Sequence, residues 1–552
     1  MKITKNMVEI PKAKEIVIDK KGYVYYIIEY KYNPKTKHTD DIRKSIGKIC
    51  ESNSDFMYPN KNYLELFHVD ILEEPSTIDS YLHYGAYLAI KQVSKTFGVL
   101  NSLKRSFPKL YEKIFALALF AIDSEDSTAQ HYEKWGFSNY SGLDSCLSSG
   151  NISEIYREIG KNREAREEFL KLYHKEYTDN NIIKERNVLA FDSTNQNTSA
   201  NSENMQKAEN GKAKKDECLP IINTAFFTDE NTGIPIYYET FYGSILDKTE
   251  TPFTKEKIES LGFKKCFFIM DRGYYSEKSI KAMKNDDFAI MCPENLEEIK
   301  LIFTRYKNDI VLNYNAYIPE ENVYGMKISE EFKKGLTHYI YYDPDTAHDE
   351  VNMINGKIEH MLAELKKPKT YYSKKLAEKY SKYFTLIPEK NRGKSKFKII
   401  KNNKAIQEEI DNAGLFAIIS NTKISSKEMI QIARKRDTVE KNFKTLKTHL
   451  LFDKPDVHND LTFDGKMFVM FIALNLLTTY KYLIKNHLDE ISSRTIHTSL
   501  SSLNKIIIEK RDNVWSLRYA FTKKNKEILS LLGLDKNIES KLRKFISPDK
   551  II

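Results

Sequence analysis

The chain has 552 residues, with 87 Lys and Arg against 77 Asp and Glu, giving a formal net charge of +10. Hydrophobic residues make up 41% and charged residues 30%, an ordinary globular composition that excludes wholesale disorder. The length implies three or four folded units, and so modest a positive charge permits a nucleic-acid partner without establishing one.

Five cysteines (Cys50, Cys146, Cys218, Cys266, Cys292) form no CxxC pair, so neither a disulfide scaffold nor a cysteine zinc site is expected. No two of the twelve His form an HxxxH or HExxH pair, and no GxxxxGK[ST] run exists. The N-terminus has no apolar h-region and is not read as a signal peptide. The longest apolar runs, Ile114–Ile122 and Met467–Leu477, fall short of the ~18–20 residues that cross a bilayer and are expected to be buried helices. A soluble, intracellular protein with no membrane partner is expected.

Residues 1–75 are predicted to be β-rich. Tyr23–Tyr32 is dense in aromatic and β-branched residues, Asn33-Pro34 breaks it, and Asp41–Ile49 returns as a second strand. Lys31, Lys35, Lys37, Arg43, Lys44 and Lys48 decorate this hairpin, either to lie along DNA or to protect a solvated edge. Residues 76–185 are predicted helical. Tyr84–Phe97 ends before Gly98, a second run goes from Pro108 to Ile122, and Ser149 and Asn151 are candidate caps for Ile152–Ile159. The charged stretch Lys161–Lys184 is expected to be a solvated helix and connector.

Residues 186–293 change period. Val188–Phe191, Pro220–Phe227, Ile234–Phe241, Cys266–Met270 and Phe288–Cys292 are predicted strands, with helices over Thr254–Leu261 and Tyr275–Met283. The order β-β-β-α-β-α-β predicts an α/β mixed sheet covered by helices. Residues 294–413 interrupt it with candidate strands at Val311–Ile318 and His338–Tyr342. Residues 414–455 resume with a strand, Leu415–Ser420, and one long helix capped at Ser425 or Ser426 and running to about Leu450. Residues 456–552 are predicted to be mainly helical.

Three carboxylates carry the chemical expectation. Asp192 and Asp271 each follow a short apolar strand, at the carboxyl end where open α/β sheets hold ligands. Such an Asp is more often a turn or cap residue. Glu440 lies in the last predicted helix. There Met429, Ile432, Val439, Phe443, Leu446 and Leu450 form an apolar stripe, and Arg436, Glu440, Lys444 and Lys447 share an adjoining arc of roughly 80°. Taken alone, this is more often an exposed, salt-bridged helix.

The segments FDST (191–194), MDRGYYS (270–276) and ARKRDTVEKNFKTLK (433–447) resemble DDE transposases of bacterial insertion sequences, in particular the IS4-like group and its IS1634-type branch. The last segment is similar to that group's Tyr-x2-Arg-x3-Glu-x6-Lys signature at Arg436, Glu440 and Lys447, but Ala433 stands where the signature has Tyr. Similarity extends over residues 85–108, 233–249, 414–430 and 468–482. The resemblance implies a ribonuclease H-like core split by a largely β insertion, with a β-rich N-terminal region and helical flanking regions. It implies Asp192, Asp271 and Glu440 as catalytic residues and metal ligands for two Mg²⁺ ions, with Mn²⁺ as a substitute. Hard oxygen ligands suit Mg²⁺, and a two-ion site suits phosphodiester cleavage.

Arg436, Lys444, Lys447 and Arg272 are the candidate DNA-binding residues, and Lys212, Lys214 and Lys215 add charge after the first Asp. The implied function is a transposase that binds the terminal inverted repeats of its element, cleaves the ends and joins them to target double-stranded DNA. A homodimer in the synaptic complex and a cytoplasmic, nucleoid-associated location in bacteria go with it. The alternatives are a nuclease on the same fold and a transposase-derived DNA-binding or regulatory protein without catalysis. An aromatic that holds a flipped base is left open among Tyr306, Tyr314, Tyr317 and Tyr324, since neither Trp135 nor Trp515 lies in the insertion.

Overall fold

The computed structural model describes residues 8–34, 37–50, 53–67, 80–179, 187–200, 203–211, 219–262, 266–329, 332–368, 370–389, 396–485, 493–511, 514–519 and 523–534. Lys35, Cys218 and the loop lysines Lys212, Lys214 and Lys215 lie outside them. The chain separates into two compact units. The first holds the N-terminal 80 residues, and the second holds nearly all the rest.

The first unit is an antiparallel five-stranded sheet built around the strands Tyr23–Asn33 and His38–Cys50. Val24, Ile46 and Met57 form its small core. The far half of the hairpin is exposed, with Lys31, Lys37, Arg43 and Lys44 in solvent, and the Arg43 guanidinium lies 5.2 Å from the centroid of Tyr25.

The second unit is organised on one nine-stranded sheet. Its centre follows the expected order. Asn187–Asn197, Ile221–Asp229 and Pro235–Tyr242 pair antiparallel as a meander. On the other side of the first of these, Cys266–Met270 and then Asp287–Met291 pair in parallel. Cys266–Met270, between two parallel neighbours, is apolar throughout because both of its faces are covered. Leu415–Ser420 then pairs antiparallel with Asp287–Met291. Beyond it come Thr337–Tyr342, Val323–Lys327 and Tyr317–Ile318, all antiparallel.

These last three strands correct the expectation of a largely β insertion. They belong to the central sheet itself, and the rest of the 294–413 stretch is mostly helix: Glu297–Ile310, Pro344–Leu365, Lys374–Tyr380 and Asn403–Asp411, with one hairpin, Phe384–Pro388 with Phe397–Lys401. The strand expected over Val311–Ile318 shrinks to Tyr317–Ile318. Leu312 takes a positive φ of 54°, and the Asn313 side chain accepts from the Asn315 amide to start a 3₁₀ turn. Both features end extended backbone.

Helices cover the meander side. Asp460–Ile484 is long and apolar enough to cross a membrane by length and composition, but most of its side chains are buried in the protein. It runs against Ser149–Lys161 at very short range. A Cβ at Gly160 would strike the backbone of Leu461, and one at Gly465 would strike Tyr156, so each helix needs its glycine at the crossing. Two local expectations change. Ser148, not Ser149, caps Ser149–Lys161, in a reciprocal box with Asn151. Arg163–Asp179 is not a solvated helix, since Phe169, Leu170, Tyr173 and Tyr177 bury one side of it. The tail also contains a strand pair, Ile506–Arg511 and Val514–Tyr519, whose first member pairs with Ser80–His83.

Candidate active site

Sheet alternation sets the position of the first two acids. Val188, Phe267 and Ile269 pack into one cluster on one face of the sheet. Successive side chains alternate between faces, so Asp192 and Asp271 project to that same face. The parallel register pairs Phe191 with Met270, which makes Asp192 and Asp271 neighbours one residue further on. Asp192 is not the residue after its strand, as expected. The strand continues to Asn197 because its other edge is paired with Ile221–Asp229 as far as that point. Asp271 does follow its strand and caps the 3₁₀ turn Arg272–Tyr274. One oxygen of each Asp is fixed by the next amide: Ser193 N–H to Asp192 Oδ1 at 2.8 Å, and Arg272 N–H to Asp271 Oδ1 at 2.7 Å.

The third acid comes from the segment covering that face. Met429 and Ile430 pack with Val188, Phe267 and Ile269, while Phe443 lies 5.5 Å from Phe226 between ring centroids. Val439, Leu446 and Leu450 are buried, so the apolar stripe docks as its spacing requires. The long helix is not continuous. It divides into Ser426–Arg434 and Asp437–Lys444 and ends in a π-helical turn, Thr445–His449. At the division the amides of Arg436, Thr438 and Val439 bond three residues back, the tighter 3₁₀ pattern.

This division separates three consecutive basic side chains. Arg434 reaches the insertion, bonding Glu321 and, at 3.0 Å, Asp343. Lys435 pairs at 2.7 Å with Glu230 in the meander turn, whose carboxyl is still pushed up by burial. Arg436 turns to the acids. Its Nη1 lies 3.7 Å from Asp192 Oδ2 and 3.5 Å from Asp271 Oδ2, and its Nη2 lies 2.6 Å from Glu440 Oε1. The buried Asn442 anchors the second half-helix, donating at 3.0 Å both to Thr228 Oγ1 and to the Gly233 carbonyl.

The three predicted acids therefore come together around one cation, the Arg436 guanidinium. Among the described residues no three His, Cys, Asp or Glu side chains stand close enough to hold a metal ion, these three included. Their chemistry nevertheless fits a hard divalent cation: each presents an oxygen toward the same positive charge, and no His or Cys intervenes.

The other predicted residues divide. Lys444 is exposed on the half-helix. Lys447 is largely covered, donating at 2.6 Å to the Asn195 carbonyl and lying 3.6 Å from Asp453. Arg272 faces solvent and pairs with Glu294 at 3.2 Å, away from the acids. Spacing arithmetic on a continuous helix missed Arg434, Lys435 and Asn442, whose partners are more than 90 residues away in sequence. The only signal was the density of bases: six Lys or Arg within residues 431–450. Of the aromatics in the insertion, Tyr314 is 85% exposed, while Tyr317 and Tyr324 pack together with centroids 5.0 Å apart.

Residues 183–476, more than half of the chain, match the family described as the transposase DDE domain. No curated protein matches the sequence. Among solved structures, similarity is found to the cryo-EM structure of the piggyBac transposase synaptic complex with hairpin DNA. Identity is 10%, 76% of this chain and 80% of that chain are covered, and the TM-score is 0.34, too remote to align the two sites.

Proposed function

The chain belongs to the transposase DDE domain family, and on that premise we propose that it is a DNA transposase of the IS4-like group, IS1634-type branch. It binds the terminal inverted repeats of its own element, cuts there and joins the freed ends to target DNA, working as a homodimer that holds two ends. Asp192, Asp271 and Glu440 are its catalytic acids. The observation that carries this reading is the convergence of all three on Arg436, from the middle of one strand, the end of its parallel neighbour and a helix.

These carboxylates would hold two Mg²⁺ ions, or Mn²⁺ in their place. When bound, such ions supply an activated nucleophile and offset charge on the leaving oxygen. The chain's own part is positional. The Ser193 and Arg272 amides fix one oxygen of each Asp and leave the other for the cation. Arg436 serves as the resting counter-ion. On loading it exchanges the carboxylates for a DNA phosphate, since a planar guanidinium bonds either oxyanion through two donors. Lys444, exposed beside it, adds a phosphate contact, which positions DNA without reading sequence.

The test is strand transfer. The full chain is incubated with Mg²⁺, target DNA and a fragment carrying the DNA that flanks its reading frame, labelled at the 5′ end of the strand whose cut 3′ end is to be joined. Joined product is the expected result. Cleavage without joining would make it a nuclease, and stable binding without cleavage would make it a regulatory DNA-binding protein.

A further inference from the structure

Past the far end of the Asn187–Asn197 strand lies a cavity of about 560 Å³. Asn197 and Thr198 form one wall, the first turn of Ser149–Lys161 another, and residues 454–458 a third. Lys466 reaches it from the first turns of Asp460–Ile484. This lysine is 2% exposed. Its Nζ donates to the Pro455 carbonyl at 2.8 Å and lies 5.7 Å from the centroid of Phe452. No carboxylate forms an ion pair with it among the described residues. The acids that act on it, Asp456 and Asp126, do so only at longer range, and burial pushes its pKa down to about 8.

An ammonium has three donors, and here one is used. A buried cation without a counter-ion is unfavourable, so a cavity that places one on its wall is suited to an anion that completes the pair. The other walls supply the same chemistry. The Ser149 and Gly150 amides lie at the open start of a 13-residue helix, where the Ser148 side chain already accepts from Asn151. Lys454 stands exposed at the rim. Donors approach from three directions, which suits a tetrahedral oxyanion.

We propose that this cavity binds a phosphate group, held by Lys466, Lys454 and the Ser149-Gly150 turn. The geometry favours a phosphate of the DNA backbone over a free one. Asp192 and Asn197 are five residues apart on one extended strand, roughly 17 Å. Lys447 sits between them on the Asn195 carbonyl. A duplex with its scissile phosphate at the acids would present another phosphate of the same strand, a few nucleotides on, at that distance. This choice of source rests on the transposase reading, whereas the phosphate site itself does not.

Two titrations on the full chain test the proposal. Inorganic phosphate, without DNA or metal, is expected to bind the wild type saturably, at least tenfold more weakly to Lys466→Met and several-fold more weakly to Lys454→Ala. Random-sequence duplex DNA is titrated across a salt series. There Lys466→Met is expected to flatten the slope of log K against log salt by about 0.9, the loss of one phosphate contact. Loss in both titrations supports the site and the DNA source. Loss of phosphate binding with an unchanged salt slope supports the site and overturns the DNA source. No change in either overturns the proposal. If circular dichroism shows Lys466→Met unfolded, Lys454→Ala and Ser153→Asp, which places a carboxylate at the cavity, decide between these outcomes by the same two titrations.

Discussion

The parallel centre of the nine-stranded sheet and its insertion-side flank are built differently. In the first, Asn187–Asn197 and Cys266–Met270 run parallel, and just past their last pair, Phe191 with Met270, Asp192 and Asp271 stand as neighbours. In the second, Leu415–Ser420 and Thr337–Tyr342 run antiparallel, and their ends alternate between edges. Parallel pairing concentrates chemistry at one edge, whereas antiparallel extension buttresses it. The buttress is tied to the site through the divided helix. Tyr339 donates to the Thr422 and Ile424 carbonyls, Tyr341 to Ser426, and Arg434 bonds the insertion from the residue where the first half-helix ends.

This contrast can be broken most sharply at the parallel centre. Asp192→Asn keeps shape and removes charge. It is expected to lower the cleavage rate by ~10³-fold or more, since metal-assisted stabilisation supplies several kcal/mol, while gel-shift binding of DNA persists. Arg434→Ala acts on the link between the two. Glu321 and Asp343, both mostly covered, lose their partner. Thermal or urea denaturation should show a loss of about 1–3 kcal/mol, and cleavage should fall about tenfold as Arg436 loses its fixed neighbour. Tyr341→Phe acts on the buttress alone. Removing its 2.7 Å bond to the Ser426 carbonyl should cost about 0.5–1.5 kcal/mol and leave the cleavage rate within twofold.

A further effect lies outside both regions. Burial, reinforced by Glu239, pushes the Glu250 carboxyl up to about 7. Below the ordinary carboxylate range both folded and unfolded forms are protonated, and above pH 7 both are ionised. Between them the unfolded chain releases its proton first, so this group withdraws stability as pH rises. Glu250→Gln should therefore raise the melting temperature at pH 8 and leave it unchanged at pH 4.

The parallel centre was legible in the sequence because its strands carry short apolar runs bounded by polar residues. Cys266–Met270 has the bounds that its composition sets, and Asp271 follows it. Asp192 was found but misplaced at a strand end, because Ser193 to Asn197 are polar residues kept extended by a partner strand about 30 residues away. The helix was legible as a stripe, since each of Val439, Phe443 and Leu446 is buried. Its division was not. It goes with where Arg434, Lys435 and Arg436 point, and apart from Glu440 their acidic partners are all distant in sequence. The insertion was least legible because pairing with a distant sheet leaves no local period. Thr337–Tyr342 reads as a strand, but nothing within it names Leu415–Ser420 as its neighbour.

The central claim is that Asp192, Asp271 and Glu440 form one cation site, held at rest by Arg436. Electron paramagnetic resonance of Mn²⁺ titrated into the full chain tests it without requiring catalysis. Asp192→Asn, Asp271→Asn and Glu440→Gln should each weaken binding at least tenfold, while Arg436→Gln, which removes the competing charge, should bind at least as tightly as the wild type. Carboxylate variants that bind Mn²⁺ as the wild type does would contradict the account.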